Sequence, residues 1–226
     1  FNFYSLQSIT IANAVPTFAT CHFPLAIFQN LIPLNKSDIY AKIGNKVGVF
    51  MSSFSLASQS VWEKLKKTSE PIIMYGTGNG ADKVLDIFES LGISIDGVTA
   101  SSGFVRERAF RGFPVKPLEY FEERLESFTV VITFGSSIPG VMENIYNLSE
   151  KHTVLVPCVP VIENEICDGA FIERNIEKIE KAYSLMADEA SKKAFSGYYD
   201  FIFSGELKYL KEITTELISQ TPLTIL

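Results

Sequence analysis

Residues 71–91, PIIMYGTGNGADKVLDIFESL, most strongly constrain the fold of this chain. The run from Pro71 to Tyr75 is short and apolar, as is typical of a buried strand, and it is followed by three glycines within five residues. Apolar residues then recur at helical spacing, at Val84, Ile87, Phe88 and Leu91. The pattern therefore predicts a strand, a glycine-rich turn and an amphipathic helix, in that order.

This arrangement gives the glycines a physical role. Gly76 can enter a tight turn with positive φ, Gly78 can let a ligand approach the backbone, and small Ala81 can let the helix pack near the strand. The free N–H groups and positive dipole end of the helix favour an anion. The pattern G-x-G-x-x-A thus predicts that an anionic, nucleotide-type ligand binds at Gly76, Thr77, Gly78, Asn79, Gly80 and Ala81. The alternative is a turn that only joins a strand to a helix.

Strand and helix signals alternate through the middle of the chain. Further strands are predicted at 93–100, 129–134 and 153–156, with a short strand near 113–115 and helices at 61–67, 118–125 and 141–148. Ser60 and Glu63 fit a capping box at the start of the first helix. The alternation predicts an α/β fold, a Rossmann-like doubly wound parallel sheet. Three helical patterns after Pro160, with a stop at Gly205, predict an α-helical extension.

These signals divide the chain into four segments. We predict a Rossmann-like nucleotide-binding domain at 58–160 and a helical linker or docking segment at 161–216. Residues 1–35 contain no charged side chain and are interrupted by three prolines, and the chain begins with Phe1. Our hypothesis is that residues 1–57 are a poorly defined segment not native to the domain, that 217–226 is an off-pattern tail, and that the chain is a fragment.

The loops that follow the second and third long strands add candidate site residues. The turn after 129–134 should lie on the same side as the Gly76 turn, because ligands collect at the carboxyl ends of parallel strands. Ser101, Ser102, Ser136 and Ser137 are therefore predicted to assist binding, with Ser137 also a candidate N-cap. A nicotinamide dinucleotide site usually has an acidic residue at the end of the second strand. Thr99 and Ala100 precede the two serines there and Asp96 comes too early, which disfavours NAD.

Three arginines follow, and they allow two interpretations. Arg106, Arg108 and Arg111 could hold a second phosphate or a sugar acid in bidentate fashion. The alternative for each of them is a solvated loop, which is the more frequent situation for a single arginine.

Composition and charge exclude several classes of protein. A net charge of −6 argues against a nucleic-acid-binding protein, and no run of about 20 apolar residues is present to cross a membrane. Cys21, Cys158 and Cys167 are odd in number and widely spaced, so we predict thiols in a reducing, cytoplasmic compartment. His22 and His152 belong to no catalytic triad or metal-binding spacing. We therefore predict neither a catalytic residue nor a metal site.

Three segments carry a resemblance to a known family. YGTGNGADKVLDIFESLGI, SSGFVRERAFRGFPV and, most specifically, ADEASKKAFSGYYDFIFSGELKYLKEITTE resemble the region that precedes the catalytic core in bacterial FkbM-family methyltransferases. The resemblance covers about residues 58–216. In that family a Rossmann-like domain precedes a second α/β domain that binds S-adenosylmethionine (SAM) and methylates a hydroxyl, often on a sugar or polyketide-type product.

The resemblance implies that the transferase chemistry belongs to a C-terminal methyltransferase domain missing from this chain. The chain itself would be an accessory nucleotide- or sugar-nucleotide-binding domain with linker helices, not catalytic alone, and SAM would bind in the missing domain. One alternative is a degenerate Rossmann domain that docks or forms a homodimer through helices at 171–213 without a ligand. A second alternative is a SAM- or NAD-binding enzyme that uses the Gly76–Ala81 loop.

Overall fold

The structure is a computed structural model, and it describes residues 56–101, 109–136, 138–159 and 165–220. Several predictions fall outside these ranges. They concern residues 1–55, the tail beyond 220, the site candidates Ser102 and Ser137, and the arginines Arg106 and Arg108.

Six strands form one sheet. They are β1 (Ile72–Tyr75), β2 (Gly97–Thr99), β3 (Ala109–Phe110), β4 (Phe113–Lys116), β5 (Thr129–Ile132) and β6 (Thr153–Leu155). Their order is β3-β4-β2-β1-β5-β6, and every pair is parallel except β3 with β4. The chain moves from β1 to β2 on one side and later returns to place β5 on the other side. The point at which the strand order reverses therefore lies between β1 and β5.

Seven helices accompany the sheet in the described ranges. They are α1 (Val61–Lys67), α2 (Asn79–Leu91), α3 (Leu118–Glu122), α4 (Pro139–Ser149), α5 (Gly169–Ser184), α6 (Glu189–Ser204) and α7 (Leu207–Gln220). The predicted capping box at α1 is confirmed, because the Glu63 amide donates to Ser60 Oγ at 3.2 Å and the Ser60 amide donates to Glu63 Oε2 at 3.1 Å.

Helices cover both faces of the sheet. On one face α1 and α2 pack against alternate strand residues, including Ile72 and Val131. On the other face α3, α4, α6 and α7 pack against the residues in between, including Ile73, Val130 and Ile132. Because both faces are covered, the central strands are almost entirely apolar, as in other parallel sheets. The prediction of a doubly wound α/β Rossmann-like fold followed by a helical extension is confirmed.

The helical extension packs directly on the sheet domain. Phe201 of α6 and Leu207 and Leu210 of α7 belong to the same buried cluster as Val154 of β6. Gly205, in left-handed conformation with φ of 71°, ends α6, and its carbonyl accepts the Val156 amide at 2.9 Å. The aromatic side chains of α6 are therefore at least half-buried within this chain: Phe195, Tyr198, Tyr199, Phe201 and Phe203.

The structure differs from the sequence interpretation at several boundaries. The antiparallel strand β3 was not predicted; two residues are too few to show alternation. The second strand spans only Gly97–Thr99 instead of 93–100, and α7 continues well past residue 213, where the helical prediction ended. Within the described ranges, no helix has the length and apolar content needed to cross a bilayer.

Candidate functional site at the carboxyl edge of the sheet

The glycine-rich turn lies at the switch point of the sheet. It leaves the carboxyl end of β1 and leads into α2, while the loop at 133–138 leaves the adjacent end of β5 and leads into α4. The amide of Gly76 donates to the Thr99 carbonyl at 2.9 Å, which joins the turn to the end of β2. Crevices at this position are where open α/β sheets bind ligands.

Gly76 has the backbone conformation that the sequence predicted. Its φ is +126°, a region that residues with a side chain rarely adopt. A Cβ atom at this position would lie 2.4 Å from Thr133 Oγ1 and 3.1 Å from Phe134 Cδ1. Thr133 Oγ1 itself donates to the Tyr75 carbonyl at 3.0 Å, and this hydrogen bond keeps the Thr133 side chain where a Cβ on residue 76 would clash with it. Gly76 is therefore required by both conformation and space.

The closest approach of α2 to the sheet is at Gly80. A Cβ atom on Gly80 would lie 2.1 Å from the backbone carbonyl oxygen of Thr133. Ala81, to which the sequence pattern assigned the close packing, is fully buried beside Met74 and Val98, so both small residues matter. Gly80 is the tighter of the two, and it brings the first turn of α2 against the end of β5.

Gly78 is the open position of the turn. It is the N-cap of α2, with φ of −97° and ψ of −170°, and no heavy atom lies within 4 Å of the place a Cβ would take. No side chain caps the helix, and in the described residues the amides of Gly78, Asn79 and Gly80 have no hydrogen-bond acceptor. Three free N–H donors at a helix N-terminus are suited to an anion.

The end of β2 contributes hydroxyl groups rather than a carboxylate. Ser101 is exposed, and its Oγ lies 2.5 Å from the Tyr75 hydroxyl. Thr99 is fully buried, and its Oγ1 has no partner in the described part of the chain. In the sequence, Thr99 indicated only that the usual acidic residue is absent at the end of the second strand, and no pattern predicted an unpaired hydroxyl there. The Asp96 carboxylate has a structural role, since it accepts the Ile72 amide at 2.8 Å.

The loop after β5 places Ser136 beside the start of α4. Ser136 Oγ accepts the Ile138 amide at 3.2 Å, and Ile138, rather than the predicted Ser137, is the N-cap. Pro139 occupies the first helical position, where a missing N–H costs nothing. The N-termini of α2 and α4 thus both lie at the carboxyl edge, at the switch point of the sheet.

Arg111, for which the sequence allowed a phosphate contact or a solvated loop, contacts three carboxylates of α2. It sits in the turn between β3 and β4 with φ of 47°, and its guanidinium lies 2.8 Å from Asp86 Oδ1, 3.3 Å from Glu89 Oε1 and 3.6 Å from Asp82 Oδ1. These carboxylates lie on α2, and the Asp86 hydrogen bond raises the arginine's pKa. Arg111 therefore fastens the β3–β4 turn to α2.

The remaining reactive side chains in the described ranges are His152, Cys158 and Cys167. His152 stacks on Phe128, with ring centroids 4.2 Å apart, and its Nε2 lies 3.2 Å from Glu122 Oε1. Cys167 is a buried thiol whose pKa is raised to about 12 by burial and by Asp168. Cys158 is disulfide-bonded, which differs from the thiol predicted at that position. No metal-binding group of three His, Cys, Asp or Glu side chains occurs within the described residues.

Comparisons with known proteins give one structural match. No protein-family model and no curated protein matches the sequence. Among solved structures, the chain is similar to the crystal structure of methyltransferase FkbM from Methylobacillus flagellatus KT, with 15% identity and a TM-score of 0.44. The match covers 71% of this chain and 46% of that protein, so the chain spans less than half of its length.

Proposed function

We propose that this chain is an accessory domain that binds a nucleotide or a sugar nucleotide at the carboxyl edge of its sheet. The observation that supports this most directly is the uncapped N-terminus of α2, with the free amides of Gly78, Asn79 and Gly80 beside the switch point. A diphosphate would accept these hydrogen bonds and would also interact favourably with the helix dipole. Ser101 and Ser136 lie at the same edge and would contact the rest of the ligand.

The proposal assigns no chemistry to the chain itself. In the described residues the crevice has no nucleophile paired with a base and no metal-binding group, so binding is the activity that its side chains support. A nicotinamide dinucleotide fits less well, because Thr99, Ala100 and Ser101 stand where a carboxylate would hold the ribose.

We further propose that the domain works with a SAM-dependent methyltransferase domain. The support is the resemblance of its sequence segments to the region that precedes the FkbM catalytic core. In this arrangement the bound nucleotide or sugar nucleotide would serve the partner, and SAM would bind to the partner domain.

The test is a thermal-shift panel on the full 226-residue chain with UDP- and GDP-sugars, NAD, NADP, CoA and SAM. A ligand at 100 times its Kd stabilises a protein by about 2.7 kcal/mol, which for this size corresponds to roughly 5–10 °C. The key variant is Gly78→Asp, whose side chain has open space and whose carboxylate would occupy the free amides.

Gly169→Asp is the matched control. Gly169 also lies at the start of a helix, α5, and a Cβ on it would have no neighbour within 4 Å. We expect a shift with a sugar nucleotide in the wild type and in Gly169→Asp, and its loss in Gly78→Asp. A shift that survives in Gly78→Asp would contradict the proposed site, and a shift with SAM alone would favour the enzyme alternative.

A further inference from the structure

A second concave surface, which no sequence pattern indicated, opens at the same edge of the sheet. It is a groove of about 430 Å³ between α3 and α4, on the sheet face opposite α2, and we call it the α3–α4 groove. Tyr75 and Ser101 line its end at the carboxyl edge, and Glu122 and Lys151 line its far end. Its volume is within the usual range for small-molecule sites, roughly 300–1,000 Å³.

The groove has an apolar floor and a polar rim. The floor contains Phe134, Leu118, Val141 and Ile145, which all pack against the main core cluster. The rim carries side chains that make no hydrogen bond or ion pair with any described residue: Glu119, Asn144, Asn147 and Lys151. Exposed polar groups facing an apolar floor can recognise a ligand that has both hydroxyl groups and C–H surfaces.

The charges and ring geometry of the groove narrow the class of ligand. Two carboxylates, Glu119 and Glu122, and one ammonium group, Lys151, line the groove, so its charge does not favour a phosphate. The Tyr75 and Phe134 rings meet at an interplanar angle of 70° with centroids 5.3 Å apart. Rings in this arrangement offer no parallel slot for a flat nucleobase, whereas a single ring face suits the C–H surface of a sugar. Carboxylate and amide side chains are good partners for sugar hydroxyls.

We propose that the α3–α4 groove binds a neutral, hydroxyl-rich pyranose. The inference rests on the proposed function only where it joins this sugar to a nucleotide whose diphosphate binds at Gly78. Binding of a neutral sugar in the groove does not depend on the diphosphate site. Asn144 and Glu119, on opposite walls, are the specificity-determining residues, and the linked hydroxyls of Tyr75 and Ser101 mark the passage from the groove to the diphosphate site.

The experiment titrates the full chain with the methyl hexopyranosides of glucose, galactose, mannose and N-acetylglucosamine, which carry no phosphate or base. Binding is followed by NMR through the side-chain amide signals of Asn144 and Asn147. The variants are Asn144→Ala and Glu119→Ala. Glu123→Ala is the control, since Glu123 is the C-cap residue of α3, pairs with Arg124 and does not line the groove.

We expect at least one methyl hexoside to bind saturably, with Kd raised roughly fivefold to tenfold in Asn144→Ala and in Glu119→Ala, the loss expected for one hydrogen bond. Glu123→Ala should bind the methyl hexoside as the wild type does. The proposal is overturned if no methyl hexoside binds, or if the two groove variants bind as tightly as Glu123→Ala. Binding of methyl hexosides without any nucleotide binding would uphold the groove and contradict the proposed function.

Discussion

Alanine at Gly80 tests the close approach of α2 to β5. The new Cβ would lie 2.1 Å from the Thr133 carbonyl oxygen, and a backbone atom cannot relieve this clash by a change of rotamer. An ordinary contact is longer by about 1 Å, so α2 or the end of β5 must move, and overpacking of this kind costs about 1–3 kcal/mol. The higher helix propensity of alanine relative to glycine offsets up to about 1 kcal/mol of this loss. We expect a net loss of about 1–2 kcal/mol in the free energy of unfolding.

Gly78→Ala is the matched control two residues away. Its Cβ has no neighbour within 4 Å, and a φ of −97° is open to any residue. Reduced freedom of the unfolded chain gains about 0.4–1 kcal/mol, and the poorer N-cap costs roughly the same amount, because alanine caps a helix much less well than glycine. Its stability should therefore stay near that of the wild type. The assay is urea unfolding of both variants followed by circular dichroism, compared at equal m values. Equal midpoints for Gly80→Ala and Gly78→Ala would refute the close approach described above.

Three further predictions concern other parts of the molecule. Phe201→Ala should lower the free energy of unfolding by about 3–5 kcal/mol in urea melts, because Phe201 is buried between the helical extension and the sheet; a small effect would contradict that packing. Asp200 accepts the Ala57 amide at 2.6 Å, and burial raises the pKa of its carboxyl group, so the ionised form becomes less favourable in the folded protein and stability falls as pH rises through the acidic range. Asp200→Asn, which stays neutral, should therefore be more stable than the wild type at pH 7 and should gain less at acidic pH, in melts at both pH values. Arg111→Ala should leave sugar-nucleotide affinity within about twofold and change the free energy of unfolding little, since its ion pairs with α2 are exposed to solvent; a large loss of affinity in calorimetry would support the phosphate role.

Much of the architecture was predictable because it depends on local spacing. The apolar run before Gly76, the helical spacing after Ala81 and the apolar residues of β5 each act within a few neighbours, and together they indicated a parallel sheet. The capping box at Ser60 was also readable, because both of its hydrogen bonds join residues three apart. The stop at Gly205 follows from the ease with which glycine adopts positive φ.

Other features depended on contacts between distant segments. Gly80 is the tight position because β5, more than 50 residues later, places the Thr133 carbonyl against it. Arg111 pairs with Asp86 of α2 because the β3–β4 turn lies beside that helix, and no local sequence pattern predicts this contact. The same holds for the partners of the α6 aromatic side chains, which are the sheet domain for Phe201 and α5 for Phe195 and Phe203.

The sequence by itself therefore determined the alternation of parallel strands and helices along the chain, the glycine-rich turn and the expectation of an anion at the start of α2. These follow from the conformational limits of single residues and from short periodicities. Only the tertiary structure decided which glycine approaches the backbone, which amides remain free, and where the α3–α4 groove lies. A groove and a close contact are properties of two elements together, and their geometry depends on how side chains far apart in the chain fill the space between them.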